Sequence, residues 1–194
     1  MKHSEKIQLV EEYIINPNTM AVLPIQYGNK LYSQIVELED KFVSPFKPLY
    51  IVRKSCRFFG VNFEARKDGT RQLTGVNRKA PITIDPSNLI YLFPTTSPHR
   101  PECIWISEEH IIDSYAGDAG DTIVVFANKQ SLRVPISYHS FNNQMLKTAL
   151  LKSKLSSRIK ESGRKAIYYI DGRKFMKASE RTDTYFIKGK ELYD

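Results

Sequence analysis

The chain has 194 residues, 41% of them hydrophobic and 26% charged, and a formal net charge of +8. That length and composition suit one or two folded domains and exclude global disorder, and no apolar run reaches the length that spans a bilayer. Cys56 and Cys103, the 2 cysteines, are too few for a disulfide framework and are expected to be reduced thiols in a cytoplasmic protein. MKHSEKIQLVEEY at the N-terminus has no apolar stretch before Glu11, so no secretory signal is expected there.

In chain order, Thr19–Ile25 and Leu31–Leu38 are apolar-rich runs that predict two strands. QYGNK joins them, and its Gly28-Asn29 pair suits a hairpin turn. Residues 48–59 read as a helix opened by Pro48 and closed by Gly60. Leu49, Val52, Cys56 and Phe59 form one stripe of it, and Arg53, Lys54 and Arg57 another. A strand competes over Tyr50, Ile51 and Val52, which favour extended structure. Gly69 in RKDGT reads as a turn, and Cys56, Phe58, Phe59 and Phe63 read as core anchors. Pro81–Ile84 and Leu89–Phe93 are strands around the turn DPSN. The loop PTTSPHRPE follows, then Cys103–Ser107 as a buried strand with Trp105 in the core. Thr122–Ala127 and Ser131–Val134 flank NKQ as a second hairpin.

From Ser140 the texture changes. Phe141, Met145, Thr148, Leu151, Leu155 and Ile159 recur at helical spacing, and Gly163 reads as the stop. Residues 164–194 are basic and rich in Tyr and Phe. Within them IYYIDGRKFM reads either as a hairpin around Asp171-Gly172 or as part of a tail ordered by a partner. The expected fold class is α+β: a β-rich core of antiparallel strands, a short helix after residue 47 and a long C-terminal helix.

Charge is segregated along this frame. Residues 1–46 carry four basic and six acidic side chains, and residues 47–81 carry nine and two. Residues 82–150 carry four and seven, and residues 151–194 twelve and six. Two basic blocks between mildly acidic ones point to a polyanionic partner. The densest cluster runs from Arg53 to Lys79, with glycines that let backbone approach a polyanion closely.

Enzyme chemistry finds little footing. Cys56, Cys103, His99 and His110 lack the paired spacing of a zinc site, and no metal is expected. Pairing Cys103 or a serine with His99, His110 or His139 matches no nucleophile signature. GxxxxGK[ST] and GxGxxG are both absent, so no nucleotide cofactor is expected. Asp113, Asp118 and Asp121 lie near one another, but Gly117 and Gly120 between them read as a loop. Arg and Lys that neutralise phosphates fit nucleic-acid binding better. No zinc-finger, basic-zipper or RNP-type motif is present, which favours loop arginines in a narrow minor groove over one recognition helix.

Several longer segments carry a family likeness: SCRFFG (55–60), RKDGT (66–70), APITIDPSNLIYLFPTTS (80–97), RPECIWIS (100–107) and PISYHSFNNQ (135–144). Across about residues 19–155 the chain resembles the ComK family of bacterial competence transcription factors. That resemblance implies a cytoplasmic, nucleoid-associated activator of DNA-uptake genes. It implies recognition of spaced A-tract/T-tract boxes through the minor groove, DNA bending, and a homodimer or tetramer. It also implies partnership with RNA polymerase and, through the tail, with a Clp protease adaptor, and no membrane. Residues 1–160 are then the DNA-binding and dimerisation domain, and 161–194 a basic, flexible tail. The expected DNA contacts are Arg57, Arg66, Lys67, Arg71 and Arg100, with Lys54, Arg78, Lys79 and Lys147 touching phosphates. An RNA-binding or ribosome-associated basic protein is the alternative.

Overall fold

The computed structural model describes residues 8–176, with side chains described through residue 163. The chain divides between Ser156 and Ser157 into two units. Seven strands of the first unit form one sheet: β1 (Gln8–Leu9), β2 (Thr19–Tyr27), β3 (Lys30–Glu37), β4 (Lys41–Ser44), β5 (Ile82–Asp85), β6 (Ile90–Pro94) and β7 (Trp105–Ser107). Their order is β1-β4-β3-β2-β7-β6-β5, parallel at β1–β4 and antiparallel at the other pairings. A second sheet holds β8 (Ile111–Ala116), β9 (Thr122–Phe126) and β10 (Ser131–Val134) in the order β10-β9-β8. Among the described residues the α-helices are α1 (Pro48–Phe58), α2 (Phe63–Thr74) and α3 (Tyr138–Met176). This is the α+β fold with an antiparallel, β-rich core that the sequence predicts.

Successive residues of the central strands enter different cores, as a pleated strand requires. Val22, Leu92 and Trp105 pack with Ile51, Val52, Cys56 and Phe63 from α1 and α2. Ala21, Phe93 and Ile106 pack with Val124, Phe126, Val134 and Phe141. Helices cover one face of the main sheet; the smaller sheet and the start of α3 cover the other. Ile90–Pro94 is therefore buried at every position and shows no alternation.

α1 resolves the competition over residues 48–59. Pro48 occupies its first turn, and Ile51, Val52, Ser55 and Cys56 turn inward together. Phe58 departs from its expected anchor role: it is 68% exposed. It lies two residues past the buried Cys56, roughly 200° around the helix, so it cannot share that face. Gly69 departs as well, because it lies inside α2 instead of a turn. Asn62 caps this helix by accepting from the Ala65 N–H at 2.7 Å, and Gly75 ends it at φ 76°. Caps at both ends and buried Phe63 and Thr70 outweigh one interior glycine, whose propensity deficit is about 1 kcal/mol. α3 begins at Tyr138 and passes through Gly163 to Met176, so Gly163 is not the stop and Asp171-Gly172 is helical, not a hairpin turn. Helix-forming neighbours carry the backbone through both glycines. The rest of the expected tail, from residue 177, lies outside the described residues.

Cys56 and Cys103 are free thiols in the same core. Burial pushes each from 9.0 up to about 11. At pH 8 a thiol reagent is therefore expected to label neither cysteine in the native protein and both after unfolding. Because the raised values belong to the folded state, their stabilising contribution is full below pH 9.0 and is lost as pH rises through about 11. Labelling of native protein as fast as unfolded protein refutes this placement.

Candidate nucleic-acid interface

Two chain segments face each other beside the C-terminal end of α2. One leaves Gly75 and runs through Asn77, Arg78 and Lys79 into β5. The other is the proline-rich β6–β7 connection, folded back on itself by Thr95 N–H to Ile104 C=O at 2.9 Å and Arg100 N–H to Ser97 C=O at 2.9 Å. Between them lies an open cleft of about 640 Å³, lined by Lys67, Arg78, Lys79, His99 and Arg100 among neutral residues. Among the described residues no carboxylate lines it.

Long-range bonds hold the rim in place. Gln144 of α3 is 1% exposed and donates through Nε2 to the Lys79 carbonyl at 2.9 Å and the Pro94 carbonyl at 2.8 Å. Lys147, one turn on, donates to the Gln144 Oε1 at 3.1 Å and the Arg78 carbonyl at 3.4 Å. Partial burial, and then the charge of Lys79, hold the Lys147 ammonium below its usual range. Two cations thus stand together in a way that an anion would relieve. Lys79 itself adopts φ 48°, a left-handed conformation that strains a residue with a Cβ by about 1–3 kcal/mol. Such strain persists where surrounding bonds fix the backbone, as Gln144 does here.

The cleft's pairs with carboxylates are exposed ones. Lys67 donates to Glu64 at 2.8 Å and stands 5.7 Å from the Phe63 ring centroid; Arg100 reaches Glu102 at 3.4 Å. The hydrogen bond from Lys67 is the main reason the Glu64 carboxyl lies below its usual range. Surface pairs of this kind contribute about 0–1 kcal/mol, so a phosphate competes with them readily. Phe63 beneath them meets Trp105 edge-on at 5.9 Å, which ties this corner to the core.

A family model described as the ComK protein matches residues 10–160, a span that contains the whole cleft. The chain belongs to the ComK family. The competence transcription factor of Bacillus subtilis (strain 168) is 46% identical over 150 residues, covering 77% of this chain and 78% of that relative. No solved structure matches the chain.

In this ComK-family chain, five of the nine expected contacts come together. Lys67, Arg78, Lys79 and Arg100 line the cleft, and Lys147 borders it through Arg78. The other four sit elsewhere. Lys54 pairs with Glu12 at 2.6 Å, and Arg71 with Asp68 at 3.9 Å. Arg57 lines a shallow hollow with Arg53, Asn62, Phe63 and Glu64. Arg66 turns inward, donating to the Ile84 carbonyl at 3.1 Å and so fastening α2 to β5. Arg66 and Lys67 both sit on α2, so the Gly69 that follows them is helical and not a turn.

Sequence reasoning missed His99 and Gln144. His99 adjoins Arg100 in the rigid loop, a signal that was present; Gln144 is recognisable through contacts 65 and 50 residues away. The enzyme candidates separate: His110 bonds the Pro17 carbonyl at 2.8 Å, and His139 bonds Asn143 at 3.0 Å. Asp121 is paired with Arg133, and Asp113 lies in β8. Among the described residues no group of three or more His, Cys, Asp or Glu is placed to hold a metal, and no helix is long and apolar enough to cross a membrane.

Proposed function

We propose that this chain is a transcription activator of DNA-uptake genes that binds A/T-rich duplex DNA through the cleft between Lys79 and Arg100. The observation that carries the reading is a cleft lined by four Lys or Arg side chains and His99 and, among the described residues, by no carboxylate. Its cations come from a helix, a strained loop and a proline-braced loop, so their spacing is set before DNA arrives. A narrow A-tract minor groove has enhanced negative potential that draws in Arg and Lys. Readout there separates A·T from G·C and little more. Two spaced boxes supply the missing selectivity, which calls for two copies of the cleft and hence a homodimer or tetramer.

Fluorescence anisotropy with the full chain tests this reading. Affinity for a duplex with spaced A/T boxes should exceed that for a G·C-rich duplex of equal length and fall steeply with salt. Equal binding to both duplexes overturns specific recognition. Tighter binding to structured RNA favours the RNA-binding alternative.

A further inference from the structure

The β2–β3 hairpin is longer than its neighbours. β2 is paired with β7 at Ala21 and Val22, and β3 with β4 from Ser33 to Val36. Among the described residues, 25–32 pair with each other alone, Ile25 opposite Tyr32, Gln26 opposite Leu31 and Tyr27 opposite Lys30. They form a two-stranded ribbon that reaches roughly 10 Å past the sheet at the usual rise per residue. The ribbon is stiff for its size. Its turn has Gly28 at φ 56°, Gln26 donates to the Gly28 carbonyl at 2.8 Å, and Tyr27 stacks on Tyr32 at 5.1 Å.

Two further grooves lie between the basic cleft and the ribbon. The cleft shares Pro98, His99 and Arg100 with a second groove, and that groove shares Leu31, Lys47 and Pro101 with a third. The third is lined by Lys30 at the ribbon tip and Lys47 before α1, with Phe46 stacked on Tyr50 at 4.4 Å. Three adjoining grooves thus make a trough from Lys79 past Arg100 and Lys47 to Lys30, and among the described residues no carboxylate lines any of them.

Resting on the DNA-binding reading above, we propose that the β2–β3 ribbon is a second DNA-contacting arm. In this arrangement Lys30 and Lys47 hold the phosphates of the duplex that flanks the A/T box in the cleft. A two-stranded ribbon has the width to follow a duplex groove, and strands serve as readers in either groove. Two contact points on one rigid surface also give a means of holding DNA bent, because both are engaged together only when the duplex follows the trough.

The test uses the full chain and a labelled A/T-box duplex with long flanks. Both lysines are exposed, so Lys30→Ala/Lys47→Ala should keep the melting temperature while reducing affinity roughly ten-fold or more. Its salt slope should fall by roughly two units, about 0.9 per lost phosphate contact. Hydroxyl-radical protection should shrink at the flank and persist over the box. An unchanged slope and footprint, with the unaltered chain still bound specifically, overturns the arm and leaves the cleft reading standing. Normal DNA binding by the variant with lost transcription activation also overturns it, assigning the ribbon to a protein partner. Failure of the unaltered chain to prefer A/T boxes removes both readings.

Discussion

Replacing Arg78, Lys79 and Arg100 together with alanine is expected to abolish preferential binding to an A/T-rich duplex. A specific contact of this type contributes about 1–3 kcal/mol, so three lost contacts weaken binding by on the order of 3 kcal/mol or more. The salt slope should fall by about three units if each side chain neutralises one phosphate. Folding should survive, since Arg78 and Arg100 are exposed and the Lys79 carbonyl keeps its bond from Gln144. Alanine at a φ of 48° is no worse placed than lysine. Arg57→Ala/Arg71→Ala removes two exposed arginines from outside the cleft and provides the contrast. That double variant should lose far less affinity. If the two variants weaken binding equally, long-range charge governs affinity and the cleft has no privileged role.

This contrast also shows what was legible in the residues. Charge along Arg53–Lys79 reveals a cationic surface because charge is additive and needs no geometry. Dividing it needs contacts that no local pattern contains. Arg66 and Lys67 are neighbours in one basic segment, yet one bonds the Ile84 carbonyl and the other lines the cleft. Helical rotation of about 100° between consecutive residues makes that difference. Lys147 joins the cleft across 69 residues of chain.

The fold was readable where local signals agree. Gly28-Asn29 between apolar runs marked the β2–β3 hairpin, and the Phe141–Leu155 spacing marked the start of α3. β8 escaped because Ile111–Ala116 is an edge strand with exposed Ile112, Asp113 and Tyr115, followed by the glycines of its turn. Without a buried face it shows no period of two. α2 escaped because Phe63 and Thr70 are its buried residues, too few for a helical stripe to show through Gly69.

Gln144→Met is expected to lower stability by about 2–4 kcal/mol and to weaken DNA binding as well. Methionine nearly preserves the side-chain volume, so packing is little disturbed. It withdraws the donor from the Lys79 and Pro94 carbonyls, and an unsatisfied buried group costs about 1–3 kcal/mol. It also removes the Oε1 acceptor of Lys147. The backbone strain at Lys79 then loses the bond that maintains it, and the Arg78-Lys79 segment relaxes away from Arg100. Stability and binding are separated by a control on the same helix. Leu151 is 1% exposed, lies about two turns beyond Gln144, and has no donor with which to hold a rim carbonyl. Leu151→Ala should destabilise by a similar or greater amount, about 2–5 kcal/mol. Measured well below both melting temperatures, Leu151→Ala should bind A/T-box DNA like the unaltered chain, and Gln144→Met should not. Equal binding by both would mean that Gln144 supports the fold alone and that the cleft holds its shape without it.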